Sequence, residues 1–456
     1  MRPDIACGRL PQDILVQNFA DAHPGLTPEQ AALEADRCFY CYDAPCIEAC
    51  PTDIDIPRFI KAIATKNTAG AARTILQSNI LGGSCARVCP TEILCEQKCV
   101  HTAIETHKPV RIGALQRYAT DWQMAQGSYP FTRAAPTGRH IAIVGAGPAG
   151  LACAHRLAMH GHEVTIFDRH EKPGGLNEYG VAAYKLADDF ARKEIDFLMA
   201  IGGIHYQGKT VLGETIRLAA LRQDYDAVFL AIGLSGVRAL GLPGETMPGV
   251  RDAVAFIEHL RSHPLASVQI GRRVVVIGGG NTAIDAAVQA KRLGAEEVTL
   301  VYRRGELTMS ATEIERDWAQ TNGVTLRLWA APTRLEFDNG ALTGVTFRRT
   351  DTPPETLGGP GIPPAEFTIA ADMVLKAIGQ VFVPDPLSQD QILIENGRLV
   401  VDEKGRTSLA GVYAGGDCTA GEDLTVAAVR DGREAAQAIH GDLTHSGPSP
   451  SGTGAP

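Results

Sequence analysis

The sequence predicts a small helical domain held together by cysteines, followed by two α/β units, the second nested inside the first. Three observations predict it. Eight of the eleven cysteines fall between Cys38 and Cys99. Two strand–turn–helix–strand units follow, with glycine-rich turns at Gly145–Gly150 and Gly278–Ala283. Three further strand-like stretches, Phe229–Gly233, Leu375–Gly379 and Gly411–Asp417, run into glycines of the kind that end at a ligand. At 456 residues the chain has room for two or three domains.

Residues 1–26 carry no informative pattern. Thr27, Pro28 and Gln30 then read as a helix start, with Thr as N-cap, Pro in the first position and Gln closing a capping box. That helix delivers Cys38. Between the cysteine groups, residues 55–67 and 69–79 read as two short amphipathic helices. Another helix is expected over Val110–Gln123, then a linker over 125–138.

The cysteines are spaced C-x2-C-x4-C-x3-C-P (Cys38, Cys41, Cys46, Cys50) and C-x3-C-P-x4-C-x3-C (Cys85, Cys89, Cys95, Cys99). Close-spaced thiolates are the ligand set of iron–sulfur clusters, and the cysteine before such a proline often serves the neighbouring cluster. The two groups are therefore expected to interlace. Disulfides would need an oxidising compartment, and the opening MRPDIACGRL has no apolar signal-peptide core. Structural zinc favours paired C-x2-C knuckles, of which there is one. Iron–sulfur is the preferred reading, giving an α-helical bis-[4Fe–4S] ferredoxin-like domain over 1–138.

From Arg139 the texture changes. Arg139–Val144 is a short apolar strand, G-x-G-x-x-G follows at Gly145, Gly147 and Gly150, and a helix leads to the strand Glu163–Phe167, which ends at Asp168. The glycines suit a tight turn, close approach to a pyrophosphate and helix–strand packing, while Asp168 suits ribose hydroxyls. Lys172–Leu176 contains a glycine pair that either lets a second loop reach the same ligand or forms a turn. The second unit has the strand Arg273–Ile277, the turn Gly278–Ala283 and the strand Glu297–Tyr302. It ends in Arg303 and Arg304, where an acid would select NAD. Arginines there can hold a 2′-phosphate or stack on adenine. Asp417 precedes a helix expected over Leu424–His440 and suits a ribityl hydroxyl or a helix cap. Nested units imply an FAD domain over 139–250 and 380–443, with an NAD(P) domain over 251–379. These are α/β, Rossmann-type flavoprotein domains. Residues 444–456 read as a disordered tail.

A net charge of −9 argues against nucleic acid as a main partner. No apolar run is long enough to span a membrane, so a cytoplasmic protein is expected. Nicotinamide delivers two electrons and iron–sulfur clusters carry one, so a flavin must stand between them. A dithiol relay is excluded, because the flavin half has only Cys153 and Cys418, in no C-x-x-C pair. His23, His101, His107 and His160 are scattered and read as bland. No catalytic constellation presents itself, so substrate chemistry is expected elsewhere.

These residues carry a resemblance. RCFYCYDAPCIEACPTDIDIPRFI, NILGGSCARVCPTEILCEQKC, IGALQ, VGAGPAG, GGGNTAIDAA, VYRR and AGGDCTAGEDLTVAAVRDG make the chain similar to the NADPH/FAD/iron–sulfur half of dihydropyrimidine dehydrogenase and its stand-alone bacterial counterpart. Glutamate synthase small subunits share the architecture. CPTE-x-LCE and the Gln of IGALQ look more like the pyrimidine branch, since the glutamate synthase subunits tend to carry Glu near that Gln. The resemblance implies one [4Fe–4S] cluster on Cys38, Cys41, Cys46 and Cys99, and another on Cys50, Cys89, Cys95 and the side-chain oxygen of Gln116, leaving Cys85 out. It implies FAD on Gly145, Gly147, Gly150, Asp168, Gly175, Leu176 and Asp417, and the nicotinamide cofactor on Gly280, Asn281, Thr282, Arg303 and Arg304. The eukaryotic enzymes have a further Arg past the basic pair; here Gly305–Ser310 has none and adds Glu306, which favours NADH over NADPH. The chain stops before any FMN barrel. The implied partner is an FMN- and iron–sulfur-containing catalytic subunit of the PreA type, which reduces uracil or thymine.

Overall fold

The computed structural model describes residues 4–104, 108–350 and 365–445. His107 and the expected tail beyond 445 lie outside the described residues. The chain forms two compact units. One comprises Met1–Ala22, Glu178–Asp188 and Gly236–Val381, the other His23–Asn177, Asp189–Ser235 and Phe382–Pro456.

The larger unit opens with helices. At Pro28–Ala35 the expected capping box is present: Gln30 N donates to Thr27 Oγ1 at 3.2 Å and Thr27 N to Gln30 Oε1 at 3.0 Å. The helices Ile56–Ala64 and Thr68–Ser78 follow, capped by Asp55 and Asn67. Their apolar faces, with Phe59, Ile60, Ala72 and Ile75 fully buried, pack with the helix Ile112–Ala125 around Cys50 and Cys85. The spacing of those apolar residues at three and four positions forces this arrangement, because only one side of each helix can leave water.

The α/β half of the same unit is a five-stranded sheet ordered Val412–Ala414, Ala227–Leu230, His140–Val144, Glu163–Phe167, Ile204–Gln207, parallel throughout. All of Ala227–Leu230 is buried, as a parallel strand covered on both faces requires. The helix Pro148–Met159 lies against Thr425–His445 so closely that a Cβ on Gly432 would sit 2.0 Å from Ala149 O. This last helix passes its expected end at His440, with the Thr444 hydroxyl bonded back to His440 O at 2.7 Å.

The smaller unit also holds a five-stranded parallel sheet, with a different edge strand: the first of its strands in the chain rather than the last. Its parallel sheet runs Val324–Arg327, Glu297–Val301, Arg273–Ile277, Met373–Lys376, Val250–Asp252. An antiparallel sheet of Ala330–Asp338, Ala341–Arg349 and Glu366–Ala370 accompanies it. Residues 1–22, expected with the helical domain, belong here instead. Ile5–Ala6 pairs with Ile270–Gly271, and Leu15 and Phe19 enter this unit's core. Among the described residues, no helix is long and apolar enough to cross a membrane.

Candidate cofactor sites

The first cradle forms where the strand His140–Val144 turns into the helix Pro148–Met159. Gly145 has φ +106°, and a Cβ there would lie 2.1 Å from Ala231 O, so the turn admits only glycine. A Cβ on Gly150 would strike Gly145 O at 1.9 Å. Gly147 is open, its nearest neighbour being Gly175 Cα at 3.9 Å, and this leaves backbone accessible to a ligand. The glycine pair at 174–175 does bring a second loop to the first. Gly174 N donates to Ala146 O at 2.9 Å, and a Cβ on Gly175 would meet Gly147 Cα at 2.6 Å. Leu176, beside it, is 38 % exposed.

Two aspartates border this cradle with opposite electrostatics. Asp168 is nearly buried, and burial alone would raise its pKa. Hydrogen bonds from the His170 ring and from the amides of Ala146 (2.7 Å) and His170 (2.8 Å) outweigh burial and hold it below the usual carboxylate value. Asp417 follows the strand Val412–Ala414, and burial, then the charge of Asp423, lift its carboxyl to about 6. Cys153 and Cys418 are buried and unpaired, and the Cys418 thiol is pushed up to about 11 by burial. Neither suits a dithiol relay.

The second cradle is in the smaller unit. Gly278 has φ +154°, with Ala377 O only 2.2 Å from where a Cβ would stand. Gly280 caps the helix Asn281–Arg292, which begins with Asn281 and Thr282. The Asn281 Oδ1 atom is buried without a hydrogen-bond partner, as expected of a group kept for a ligand. Arg303 and Arg304 are exposed beyond the strand Glu297–Val301. Arg304 Nε donates to Tyr302 Oη at 3.1 Å. Glu306 ion-pairs with Arg316 at 3.1 Å. Arg316, on the following helix, did not stand out in the sequence, and it balances the charge counted against a 2′-phosphate.

In the helical segment one cavity is lined by Cys38, Cys41, Cys46 and Cys99, with Ile56, Ile60, Val110 and His101. These four thiols are the set assigned to one cluster. Burial, followed by repulsion from Cys38, Cys99 and Cys41, pushes Cys46 up to about 12. His101 is less bland than expected, since its ring lies tilted against Phe39 at 4.2 Å and bonds Arg37 O at 2.8 Å. Cys89 is raised by its hydrogen bond with Cys85 and then by burial, with Cys95 and Cys50 among the nearby charges. Cys95 is raised by burial and then by Glu96. Cys85 therefore sits at the second group although the ligand assignment omits it. Gln116 is buried, its Nε2 donating to Gly82 O at 2.7 Å, which leaves the amide oxygen as acceptor. Among the described residues, no three His, Cys, Asp or Glu side chains converge tightly enough for a single metal ion. A lone ion gathers its ligands about one point. A four-iron cluster offers each thiolate its own iron, so thiols spread around a cavity wall fit it.

Two acids hold this segment in shape. Glu96 Oε1 accepts from Gly113 N at 3.0 Å and pins the start of the Gln116 helix. Glu194 accepts from the amides of Gly83 (2.8 Å) and Ser84 (3.0 Å) and from the Ser84 hydroxyl, and burial lifts it to about 7. Nothing in the local sequence marks Glu194, which lies more than a hundred residues from the helix it caps.

A family model described as pyridine nucleotide-disulphide oxidoreductase matches residues 139–432. One described as dihydropyrimidine dehydrogenase domain II, 4Fe-4S cluster, matches residues 15–128. The PreT subunit of NAD-dependent dihydropyrimidine dehydrogenase from Salmonella typhimurium is 34% identical over 426 residues, 93% of this chain and 97% of that protein. The chain belongs to this oxidoreductase family. The family also takes in the glutamate synthase [NADPH] small chain of Escherichia coli, 34% identical over 92% of this chain and 93% of that one. The structure of Mycobacterium tuberculosis FprA in complex with NADPH shares the fold, with TM-score 0.55 and 21% identity over 68% of this chain and 85% of that one. The chain is thus an NAD(P)H-dependent iron–sulfur and FAD oxidoreductase, with an iron–sulfur-type N-terminal domain followed by Rossmann-type dinucleotide-binding units.

Proposed function

We propose that the chain is the electron-input subunit of a dihydropyrimidine dehydrogenase. It takes hydride from NADH onto FAD and passes single electrons through two [4Fe–4S] clusters to an FMN- and iron–sulfur-containing partner that reduces uracil or thymine. A bound flavin supplies the conversion from two-electron to one-electron transfer. The glycine turns at Gly145 and Gly278 open backbone amides to the two dinucleotides. Asp168, kept ionised, accepts from ribose hydroxyls. Cys38, Cys41, Cys46 and Cys99 hold one cluster, and Cys50, Cys89, Cys95 and Gln116 the other. Substrate residues belong to the partner.

Gln116 is the observation that carries the pyrimidine reading. It is buried on the helix Ile112–Ala125, which packs in the same core as Cys50 and Cys85, with its amide nitrogen already engaged by Gly82 O. A glutamate synthase small chain is the second reading, favoured by the equal 34% identity of the Escherichia coli protein. Anaerobic pull-down of the chain from its own cells tests both. An FMN-containing partner that supports uracil-dependent NADH oxidation is expected. A very large, glutamine-hydrolysing partner would move the chain to glutamate synthase.

A further inference from the structure

The larger unit has a polar cavity of about 390 Å³ whose lining includes no cysteine and no glycine of the cradle. Three arginines from three helices line it: Arg58 of Ile56–Ala64, Arg156 of Pro148–Met159 and Arg433 of Thr425–His445. Two carboxylates, Asp55 and Glu434, share the wall. They offset two of its three positive charges and leave one in excess. Asp55 is committed to capping its own helix, taking Arg58 N at 3.1 Å. Glu434 faces its sequence neighbour Arg433 at 3.6 Å. Arg156 bonds only the neutral carbonyl of Gln77, at 2.6 Å, and neither it nor Arg58 has an ion pair among the described residues. Burial, then repulsion from Arg433, disfavours the Arg156 charge.

Two half-buried guanidiniums side by side are unfavourable unless an anion lies between them. A guanidinium has five N–H donors in a planar fork, suited to two oxygens at once. Arg156 uses one of its five on Gln77 and keeps the others for the cavity. Arg433 is fixed by bonds from Nη1 to Thr52 O (2.8 Å) and Ser78 O (3.0 Å), and its Nη2 lies 3.6 Å from Asp53 and from Glu434, so its guanidinium is held in place. The wall also offers the Ser78 hydroxyl. Forks on three sides with neutral donors between them match a group whose oxygens point in several directions, rather than a planar carboxylate.

We propose that this cavity binds a phosphoryl oxyanion, held by Arg58, Arg156 and Arg433. The site is independent of the electron-transfer reading. Its occupant would tie a helix of the cysteine segment to two helices of the flavin half.

The test is titration calorimetry on the FAD- and iron-loaded protein with inorganic phosphate, against sodium chloride at matched ionic strength. Saturable binding is expected, weakened at least tenfold in Arg156→Gln. Arg58→Gln, an exposed position, is expected to weaken it several-fold and serves if the first variant does not fold. Glycerol 3-phosphate added as competitor separates the sources. Displacement assigns the site to the phosphoryl group of an organic ligand, and failure to displace assigns it to the free ion. No binding beyond the chloride control, or binding unchanged in the variants, overturns the proposal.

Discussion

At the scale of single residues, the contrast between Asp168 and Asp417 shows how placement decides chemistry. Both are aspartates that follow a strand of the same parallel sheet. One meets two amides and a histidine and stays charged; the other meets burial and a neighbouring carboxylate and rises to about 6. An acid whose folded pKa exceeds its unfolded value costs stability above the folded pKa, and the cost fades as pH falls towards the unfolded value. Asp417→Asn is therefore expected to raise the Tm of the flavin-free protein at about pH 7.5, the gain shrinking between about pH 6 and about pH 4. A gain that does not vary with pH in thermal melts would remove the charge argument. The ligand assignment makes a second prediction. Gln116→Ala should disturb one cluster's low-temperature EPR signal and spare the other. Cys85→Ser should leave iron content unchanged despite its contact with Cys89, and loss of iron would make Cys85 a ligand.

At the scale of elements, the helix Gly82–Val88 depends on a distant side chain. Glu194 satisfies two of its buried N-terminal amides and a hydroxyl. Truncation leaves those donors without an acceptor in a place water does not reach. Glu194→Ala is expected to cost about 3 kcal/mol by urea unfolding, with early loss of the EPR signal assigned to Cys50, Cys89 and Cys95. A cost below about 1 kcal/mol would mean that the cap is dispensable. The capping box at Thr27, by contrast, was legible from four consecutive residues, because its partners are three positions apart.

At the scale of the whole molecule, two units each put a glycine turn at the end of the central strand of a five-stranded parallel sheet. In such sheets that is where ligands bind. Cofactor preference belongs to this scale, since it sets which reductant feeds the chain. NADH is expected to reduce the flavin several-fold faster than NADPH in stopped-flow experiments. The basis is the absence of arginine from Gly305–Ser310, because Glu306 is already balanced by Arg316. Equal rates would show that Arg303 and Arg304 suffice for a 2′-phosphate.

By itself the sequence determined what depends on near neighbours. The helix starts, the strands Glu163–Phe167 and Arg273–Ile277, the turns at Gly145 and Gly278 and the two cysteine groups all rest on spacing within a few residues, where local geometry permits little else. Tertiary structure decided whatever needs distant partners. It took residues 4–22 into the smaller unit, since an edge strand pairs with whichever neighbour closes its hydrogen bonds. It brought Glu194 to Gly83 and Arg316 to Glu306, anchored the Gln116 amide on Gly82, and gathered Arg58, Arg156 and Arg433 around one cavity. Those contacts are long-range and fixed by packing, so no local pattern of residues announces them.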